Sequence, residues 1–182
     1  SVHGMRADPK GFEAFWQARL AELSDARPNN AHAAIAALQA HKPETIVATQ
    51  NVDGLLTQAG CGDVVELHGN AHRLRCKGCG RKQFLLGRCI RCGGKGRPDV
   101  ILFGETLEAA KVKGLLSALE TIDLVLIVGS TLEVYPAASI PEKACARNIP
   151  VIMVDPTPPA LWEFAVSVVI KEPAEVALPK LL

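Results

Sequence analysis

The chain has 182 residues, of which 48% are hydrophobic and 21% are charged, and its formal net charge is +1. This composition is typical of a globular domain and excludes an intrinsically disordered chain. The longest apolar stretches, at residues 124–128 and 166–170, are about five residues long, whereas a membrane-spanning helix needs roughly 20, so we expect no membrane partner.

The first third of the chain predicts two helices followed by short strands. Apolar residues recur at helical spacing over residues 9–23, with Pro9 as a helix starter, and Asn30 can cap a second helix that ends near residue 41. The pattern then changes to a short buried strand at 45–49, a short helix at 53–59 and a strand at 64–67.

The second half alternates strands with helices. The predicted elements are a strand at 100–103, a helix at 107–119, a strand at 123–128, a helix at 136–147, a strand at 150–154, a helical turn at 160–163 and a strand at 165–170. This alternation predicts a doubly wound α/β fold, in which helices cover both faces of a parallel sheet. Ligands of such sheets bind at the carboxyl ends of the strands, where residues 49–53 and 128–131 lie.

The segment 72–97 differs in charge from the rest of the chain. It holds nine Lys or Arg residues, no Asp or Glu, and four of the six cysteines. The remaining residues therefore carry a formal charge of −8. A charge step of this kind predicts a separate structural module at 72–97.

The four cysteines of this segment form two Cys-x-x-Cys pairs, Cys76 with Cys79 and Cys89 with Cys92, separated by nine residues. Two such pairs supply the four thiolates of a tetrahedral zinc site, and a site with four protein ligands is structural rather than catalytic. Disulfides and a redox motif are the alternatives. Residues 1–6 lack the apolar core of a secretory signal, so we expect a cytoplasmic location, compatible also with the nucleus, where disulfides are rare. Cys61 and Cys145 are expected to be buried or unreactive thiols.

Five motifs follow one another in an order that resembles the sirtuins, the NAD-dependent protein deacylases. They are residues 49–55 (Thr-Gln-Asn-Val-Asp-Gly-Leu), residues 66–70 (Glu-Leu-His-Gly-Asn), the two cysteine pairs, residues 97–105 (Arg-Pro-Asp-Val-Ile-Leu-Phe-Gly-Glu) and residues 129–136 (Gly-Ser-Thr-Leu-Glu-Val-Tyr-Pro). The resemblance implies a Rossmann-like NAD-binding domain formed by residues 1–71 and 98–182, with an inserted zinc module at 72–97. It also implies NAD and zinc as cofactors and an acyl-lysine peptide or protein as substrate.

The resemblance also assigns roles to residues. His68 matches the general base that acts on the NAD ribose. Gln50, Asn51 and Asp53 match the positions that hold the nicotinamide and its ribose, although turn formation and helix capping are also compatible with Asp53. Gly129, Ser130 and Thr131 match the segment that accepts phosphate and ribose oxygens, which we interpret as a turn at the start of a helix. The peptide cleft is matched by Ile101, Phe103, Gly104, Glu105 and Val134.

The implied reaction starts with attack of the acyl amide oxygen on C1′ of the nicotinamide ribose, with loss of nicotinamide. His68 then activates the ribose hydroxyls, so that the acyl group moves to ADP-ribose and lysine is released. Zinc has no direct part in this chemistry and is expected to hold the module that borders the cleft.

The sequence departs from the sirtuin pattern in several places. It has no glycine-rich segment on a first strand and no Asp-Phe-Arg-like loop, so we expect an N-terminally incomplete domain with weak NAD binding. Leu56 stands where the family usually has His, and Met153 stands where we align the Asn that contacts the adenine ribose, with Asp155 as a possible substitute.

Two other classes of function are compatible with the residues. The missing first strand and Met153 favour a non-catalytic NAD- or ADP-ribose-binding protein. A zinc-ribbon nucleic-acid binder would use the basic segment 72–97, but such surfaces usually interleave aromatic with basic residues, and this segment has only Phe84.

Overall fold

A computed structural model describes residues 1–83, 88–135, 137–159 and 166–181. The chain divides into two compact units. The first comprises Ser1–Pro28 and Glu44–Leu107, and the second comprises Asn29–Pro43 and Glu108–Leu182. Phe84 and the predicted helical turn at 160–163 lie outside the described residues. The predicted domain boundaries at residues 72 and 97 stay a prediction.

The helices of the first unit are α1 (Val2–Ala7), α2 (Pro9–Asp25) and α4 (Leu55–Gln58). The predicted helix at 9–23 is therefore confirmed, and it begins where expected because Pro9 follows Asp8, whose carboxylate accepts a hydrogen bond from the Gly11 N–H at 2.8 Å. One apolar stripe of α2, formed by Phe12, Trp16, Leu20 and Leu23, packs against a small core of Ala71, Val100 and Leu102.

The strands of the first unit form two small sheets. In one, β1 (Ala48–Thr49) pairs in parallel with β2 (Val65–Glu66). In the other, the long strand β3 (Gly69–Cys76) lies between β4 (Lys82–Gln83) and β5 (Gly96–Val100), and both pairings are antiparallel. The strand predicted at 100–103 is wrong, because β5 ends at Val100 and the chain then turns, with the Glu105 N–H donating to the Leu102 carbonyl at 2.8 Å.

The second unit contains the parallel sheet that the sequence predicts. Its elements are α3 (Asn30–His41), α5 (Ala109–Ala118), β6 (Val125–Val128), α6 (Ser139–Cys145), β7 (Val151–Val154), β8 (Val168–Ile170) and α7 (Ala174–Leu181). The strand order is β6-β7-β8, and all pairs are parallel. The sequence analysis did not predict α7.

Helices cover both faces of this sheet, as predicted. Ile127, Val151 and Met153 pack in one cluster with Leu119 and Ala144. The alternate strand residues Val154, Leu126 and Ile152 pack in a second cluster with α3 and α7, through Ala31, Ala34, Ala177 and Leu178. This separation follows from the two-residue side-chain period of a strand, so the strands carry apolar side chains on both faces.

The cap of α3 differs from the prediction by one residue. The N-cap is Asn29, not Asn30, because Asn29 has the extended backbone (φ −102°) and its side-chain oxygen accepts the Ala31 and His32 N–H groups at 3.1 and 3.2 Å. Asn30 is the first residue of the helix. Two adjacent asparagines offer the same capping group, and only the backbone geometry decides between them.

Within the described residues, no helix is both long enough and apolar enough to cross a membrane.

Candidate active site

His68 lies between β2 and β3, and its ring is half-buried and fixed by a backbone group. Nδ1 lies 3.0 Å from the carbonyl oxygen of Gln50. Because a carbonyl oxygen can only accept a hydrogen bond, Nδ1 carries the proton in this contact, and Nε2 is left with its lone pair. The geometry therefore sets the tautomer that a general base requires.

The residue after His68 must be glycine. Gly69 has φ +83°, and a Cβ at this position would lie 2.0 Å from the carbonyl oxygen of Asp99 on β5. The close approach lets β3 and β5 stay paired up to Gly69 and Val100, and just beyond the strand the Ile101 N–H donates to the His68 carbonyl at 2.9 Å. The candidate base and the first predicted peptide-binding residue are therefore joined through the backbone.

Gln50, Asn51 and Asp53 follow β1 at its carboxyl end, as predicted. The Asn51 N–H donates to Thr49 Oγ1 at 3.0 Å, and Asn51 is exposed. One carboxylate oxygen of Asp53 accepts the N–H of Leu55, the first residue of α4, at 2.9 Å. This contact is the turn formation that the sequence analysis allowed for Asp53, whereas the N-cap of α4 is Gly54, without a side-chain hydrogen bond. Leu56 is half-buried on the same helix.

The predicted peptide-binding residues of the first unit lie in the turn after β5. Phe103 is 83% exposed, and Gly104 has φ +93°. The Phe103 carbonyl accepts the Val2 N–H at 3.0 Å. The carboxylate of Glu105 points back into the turn, where it accepts the Leu102 N–H at 2.9 Å and pairs with Arg97.

Several polar side chains around this site were not predicted. Glu66, Asn70, Arg97 and Asp99 are all less than 9% exposed. Asn70 Nδ2 donates to Glu66 at 2.6 Å, and the Asn70 side-chain oxygen accepts the His72 N–H at 2.9 Å.

Acidic residues outside the segment 72–97 pair with its basic residues. Asp99 accepts from Arg75 Nε at 2.6 Å, Lys77 lies 3.1 Å from Glu13, and Arg73 pairs with Glu66. A basic segment without acids of its own signals that its partners come from elsewhere in the chain.

The four predicted zinc ligands come together. The Sγ atoms of Cys76, Cys79, Cys89 and Cys92 all lie within 4.8 Å of one another, with Cys76–Cys92 at 3.5 Å and Cys79–Cys89 at 3.7 Å. Zn–S bonds of about 2.3 Å in a tetrahedron give S–S separations of roughly 3.8 Å, so the cluster fits a zinc ion.

The backbone around Cys76 and Cys89 favours their thiolates. The pKa of Cys92, in contrast, is raised to about 11, because the lowering effect of the Gly94 N–H is outweighed by the neighbouring thiols and burial. The N–H groups of Cys79 and Gly78 lower the pKa of Cys76 to about 6, the first having the larger effect. The N–H groups of Arg91 and Cys92 lower the pKa of Cys89. Zinc binds the thiolate form, so these amides prepare the site for a metal.

The other two thiols differ from each other. Cys61 is buried, as expected, and burial raises the pKa of its thiol. Cys145 is exposed. The expectation of burial is therefore confirmed for Cys61 alone.

In the second unit, Gly129, Ser130 and Thr131 follow β6 at its carboxyl end. Gly129 has φ +55°, and its N–H donates to the Val154 carbonyl at the end of β7 at 3.0 Å. The interpretation of this segment as a helix start is wrong, because α6 begins only at Ser139. Val134, 43% exposed, lies in the same loop.

Met153 and Asp155 have different environments in this unit. Met153 is 1% exposed and belongs to the sheet core, so it offers no polar contact. Asp155 follows β7 at the edge where Gly129 follows β6, and one of its carboxylate oxygens accepts the Thr157 N–H at 2.8 Å.

The comparisons with known proteins match the chain to one family. The family model described as Sir2 family matches residues 1–136. A Saccharolobus solfataricus protein named NAD-dependent protein deacetylase is 38% identical over 194 residues, which cover 100% of this chain and 77% of that protein. A Ralstonia nicotianae protein named NAD-dependent protein deacylase is 41% identical over 184 residues, which cover 97% of this chain and 74% of that protein.

Solved structures give the same family. A Sir2 homolog–NAD complex matches with a TM-score of 0.92 and 27% identity, covering 100% of this chain and 73% of that chain. A structure of Sir2 bound to acetylated peptide matches in fold, with a TM-score of 0.90 and 23% identity, covering 100% of this chain and 80% of that chain. The predicted α/β, Rossmann-like fold class is confirmed.

Proposed function

Because the chain belongs to the Sir2 family, we propose that it is an NAD-dependent protein-lysine deacylase. The reaction moves an acyl group from lysine to the ADP-ribose part of NAD, consumes one water molecule and releases nicotinamide and free lysine. The observation that carries this proposal is the state of His68, whose Nδ1 is held by the Gln50 carbonyl at 3.0 Å so that Nε2 is free to take a proton. Two relatives, 38% and 41% identical, are named for this deacetylase or deacylase activity.

His68 is the general base in this proposal. Nε2 accepts a proton from a ribose hydroxyl, and the resulting positive ring keeps its Nδ1–H bond to the Gln50 carbonyl. The same ring can return the proton later in the cycle, because both nitrogens can act as donors once the ring is charged. The fixed ring orientation reduces the cost of positioning the base.

The residues after β1 suit the nicotinamide end of NAD. When bound, NAD supplies a ribose carbon that accepts the acyl oxygen and nicotinamide as the leaving group. Asn51 offers a carboxamide that can both donate and accept hydrogen bonds, as the amide of nicotinamide does. Gln50 is placed beside His68 by the contact of its own carbonyl with that ring. Asp53 is held in place by the Leu55 N–H and is proposed to orient the same end of the cofactor.

For the second unit we propose that Gly129, Ser130 and Thr131 contact phosphate and ribose oxygens of NAD. The left-handed backbone at Gly129 (φ +55°) forms the turn at the carboxyl end of β6, the usual ligand-binding edge of a parallel sheet. Asp155 follows the neighbouring strand and is proposed to accept from ribose hydroxyls in place of the asparagine usual in the family.

In the first unit, the acyl-lysine peptide is proposed to bind along Ile101, Phe103 and Gly104. An extended peptide binds well to exposed backbone that is already held in shape. Phe103 is 83% exposed and supplies apolar area for the acyl chain.

Zinc is proposed to have a structural role, bound by the four clustered cysteines in a module that spans residues 72–97. All four ligand positions of a tetrahedral site are filled by thiols, which leaves none for water or substrate. We also propose a cytoplasmic location, since a reducing compartment keeps these thiols available for metal instead of disulfides.

The proposal is tested by nicotinamide release from the purified chain, supplied with NAD and an acetyl-lysine peptide. We expect release that depends on both substrates. Release that does not require the peptide, or NAD binding without any release, would contradict the proposal and favour the non-catalytic alternative.

A further inference from the structure

We propose that Arg97 and Glu105 form a brace that holds the turn 101–104 ready for the peptide, so that Glu105 positions the turn and does not contact the substrate. The inference rests on the proposed function. The inference changes the role of Glu105 from peptide contact to positioning of the turn, and it assigns the same positioning role to Arg97. We call this pair the Arg97–Glu105 brace.

Both carboxylate oxygens of Glu105 are engaged inside its own turn. Oε2 accepts the Leu102 N–H at 2.9 Å, and Oε1 pairs with the Arg97 guanidinium. The Glu105 N–H donates in turn to the Leu102 carbonyl at 2.8 Å. Two hydrogen bonds therefore join Leu102 and Glu105, one from the Leu102 N–H to the Glu105 carboxylate and one from the Glu105 N–H to the Leu102 carbonyl. Together they close the turn between these residues.

Arg97 ties the same turn to the sheet. Its side chain is 6% exposed and belongs to β5, and Nη1 donates to the carbonyls of Val100 at 2.8 Å and Pro98 at 3.3 Å. Nη2 faces Glu105. A buried guanidinium is stable only when its charge is paired and its donors are satisfied, and Glu105 provides the opposite charge.

The closed turn directs other groups outward. Phe103 is 83% exposed, and Gly104 takes the left-handed conformation at φ +93°. Ile101 is anchored at the other end, where its N–H donates to the His68 carbonyl. The turn is therefore fixed at both ends. The hydrogen bond to His68, the candidate base, holds one end, and the Arg97–Glu105 brace holds the other. A preformed turn loses less conformational entropy when a peptide binds.

Direct contact of Glu105 with a basic group of the substrate is the competing role. The brace argues against it, because the negative charge is already neutralised by a buried arginine. The two roles also predict different dependence on the peptide. A positioning role affects all peptides alike, whereas a direct contact affects peptides with Lys or Arg beside the acyl-lysine.

Steady-state kinetics on the full chain test this difference with the variants Arg97→Met and Glu105→Gln. We expect KM for the peptide to rise at least about tenfold, as for loss of one charge-assisted hydrogen bond. KM for NAD and kcat should stay within about threefold of the parent values, because the lost interaction acts on peptide binding. Peptides with acidic and basic flanks should be affected equally.

The brace is contradicted if peptide KM is unchanged in both variants, or if the loss in Glu105→Gln is confined to peptides with basic flanks. Arg97→Lys keeps the charge but lacks the planar fork, so we expect a smaller rise in KM from it and a normal zinc content. The control is Arg19→Met, which breaks the exposed ion pair of Arg19 with Glu22 on α2.

Hydrogen exchange tests the brace without any assay of activity. In Arg97→Met and Glu105→Gln, the amides of Leu102 and Glu105 should exchange at least about tenfold faster than in the parent chain. The Gly78 amide beside the cysteines should not change. Equal exchange rates at Leu102 would refute the brace. A parent chain that releases no nicotinamide would refute the proposed function, while the exchange result would still decide the brace.

Discussion

In the first unit, Glu66, Asn70, Arg97 and Asp99 are buried, and each has a polar partner within the same unit. In the described part of the second unit no charged side chain is buried, and aliphatic residues pack both faces of the sheet. Apolar packing holds a sheet in place but is tolerant of small shifts, whereas hydrogen-bonded pairs fix orientation. The comparison indicates that buried polar pairs specify the structure of the unit bearing His68, whereas apolar packing specifies the structure of the second unit.

The largest effect that this comparison predicts is loss of the metal site. Cys89→Ser should abolish zinc binding and unfold the proposed module at 72–97, because binding of structural zinc contributes about 10–16 kcal/mol in small zinc modules. Zinc content and hydrogen exchange are the measurements. Cys145→Ser, which lies outside the cluster, should keep one zinc per chain. A Cys89→Ser chain with full zinc content would contradict the ligand assignment.

The next effect concerns the buried carboxylate of Asp99, whose side chain is 0% exposed and bonds to Arg75. Asp99→Ala should lower the free energy of unfolding by about 3–5 kcal/mol, since it removes one partner of a buried ion pair with the partly buried guanidinium of Arg75. Denaturant unfolding provides the measurement. The matched change Glu22→Ala removes an exposed ion pair and should cost at most about 1 kcal/mol. Equal losses in the two variants would show that burial of the pair is unimportant.

A packing change tests the second unit. Leu178 on α7 is 0% exposed and packs on Ala31, Ala34 and Val154. Leu178→Ala should lower the free energy of unfolding by about 2–5 kcal/mol, without any change in peptide KM. Leu181→Ala, on the same helix but 51% exposed, should change stability by at most about 0.5 kcal/mol. A peptide-specific defect in Leu178→Ala would contradict the division between the units.

Loss of the proposed base acts on the reaction and not on the fold. His68→Ala should lower acyl-lysine turnover by at least about 100-fold, as is typical for a lost general base, with unchanged zinc content and unfolding. The control is His41→Ala, an exposed histidine at the end of α3. Near-normal turnover by a folded His68→Ala chain would contradict the role of His68.

The smallest effect distinguishes Asn29 from Asn30, the two adjacent asparagines at the start of α3. Asn29→Ala should lower the free energy of unfolding by about 1 kcal/mol, because it removes the cap of the Ala31 and His32 N–H groups. Asn30→Ala should cost at most about 0.5 kcal/mol. The reverse order, measured by thermal unfolding, would assign the N-cap to Asn30 instead of Asn29.

These two units also differ in how far their structure could be predicted. Cysteine spacing identified the metal cluster, since four thiols in two tight turns have few other uses. Alternating apolar strands and helices identified the parallel sheet of the second unit. Periodicity failed at residues 101–103, where the apolar run continues but Glu105 closes a turn. The pairing of Arg75 with Asp99 depends on which strands meet, and that of Arg97 with Glu105 depends on the turn that follows β5. The charged residues alone do not reveal either feature in the sequence.

The central claim is that this chain transfers an acyl group from lysine to ADP-ribose and consumes NAD in doing so. Mass analysis of the products formed from an acetyl-lysine peptide and NAD tests it most directly. We expect one deacetylated peptide and one acetylated ADP-ribose for each nicotinamide released. Deacetylation without NAD, or conversion of NAD to free ADP-ribose with the peptide left acetylated, would contradict the claim.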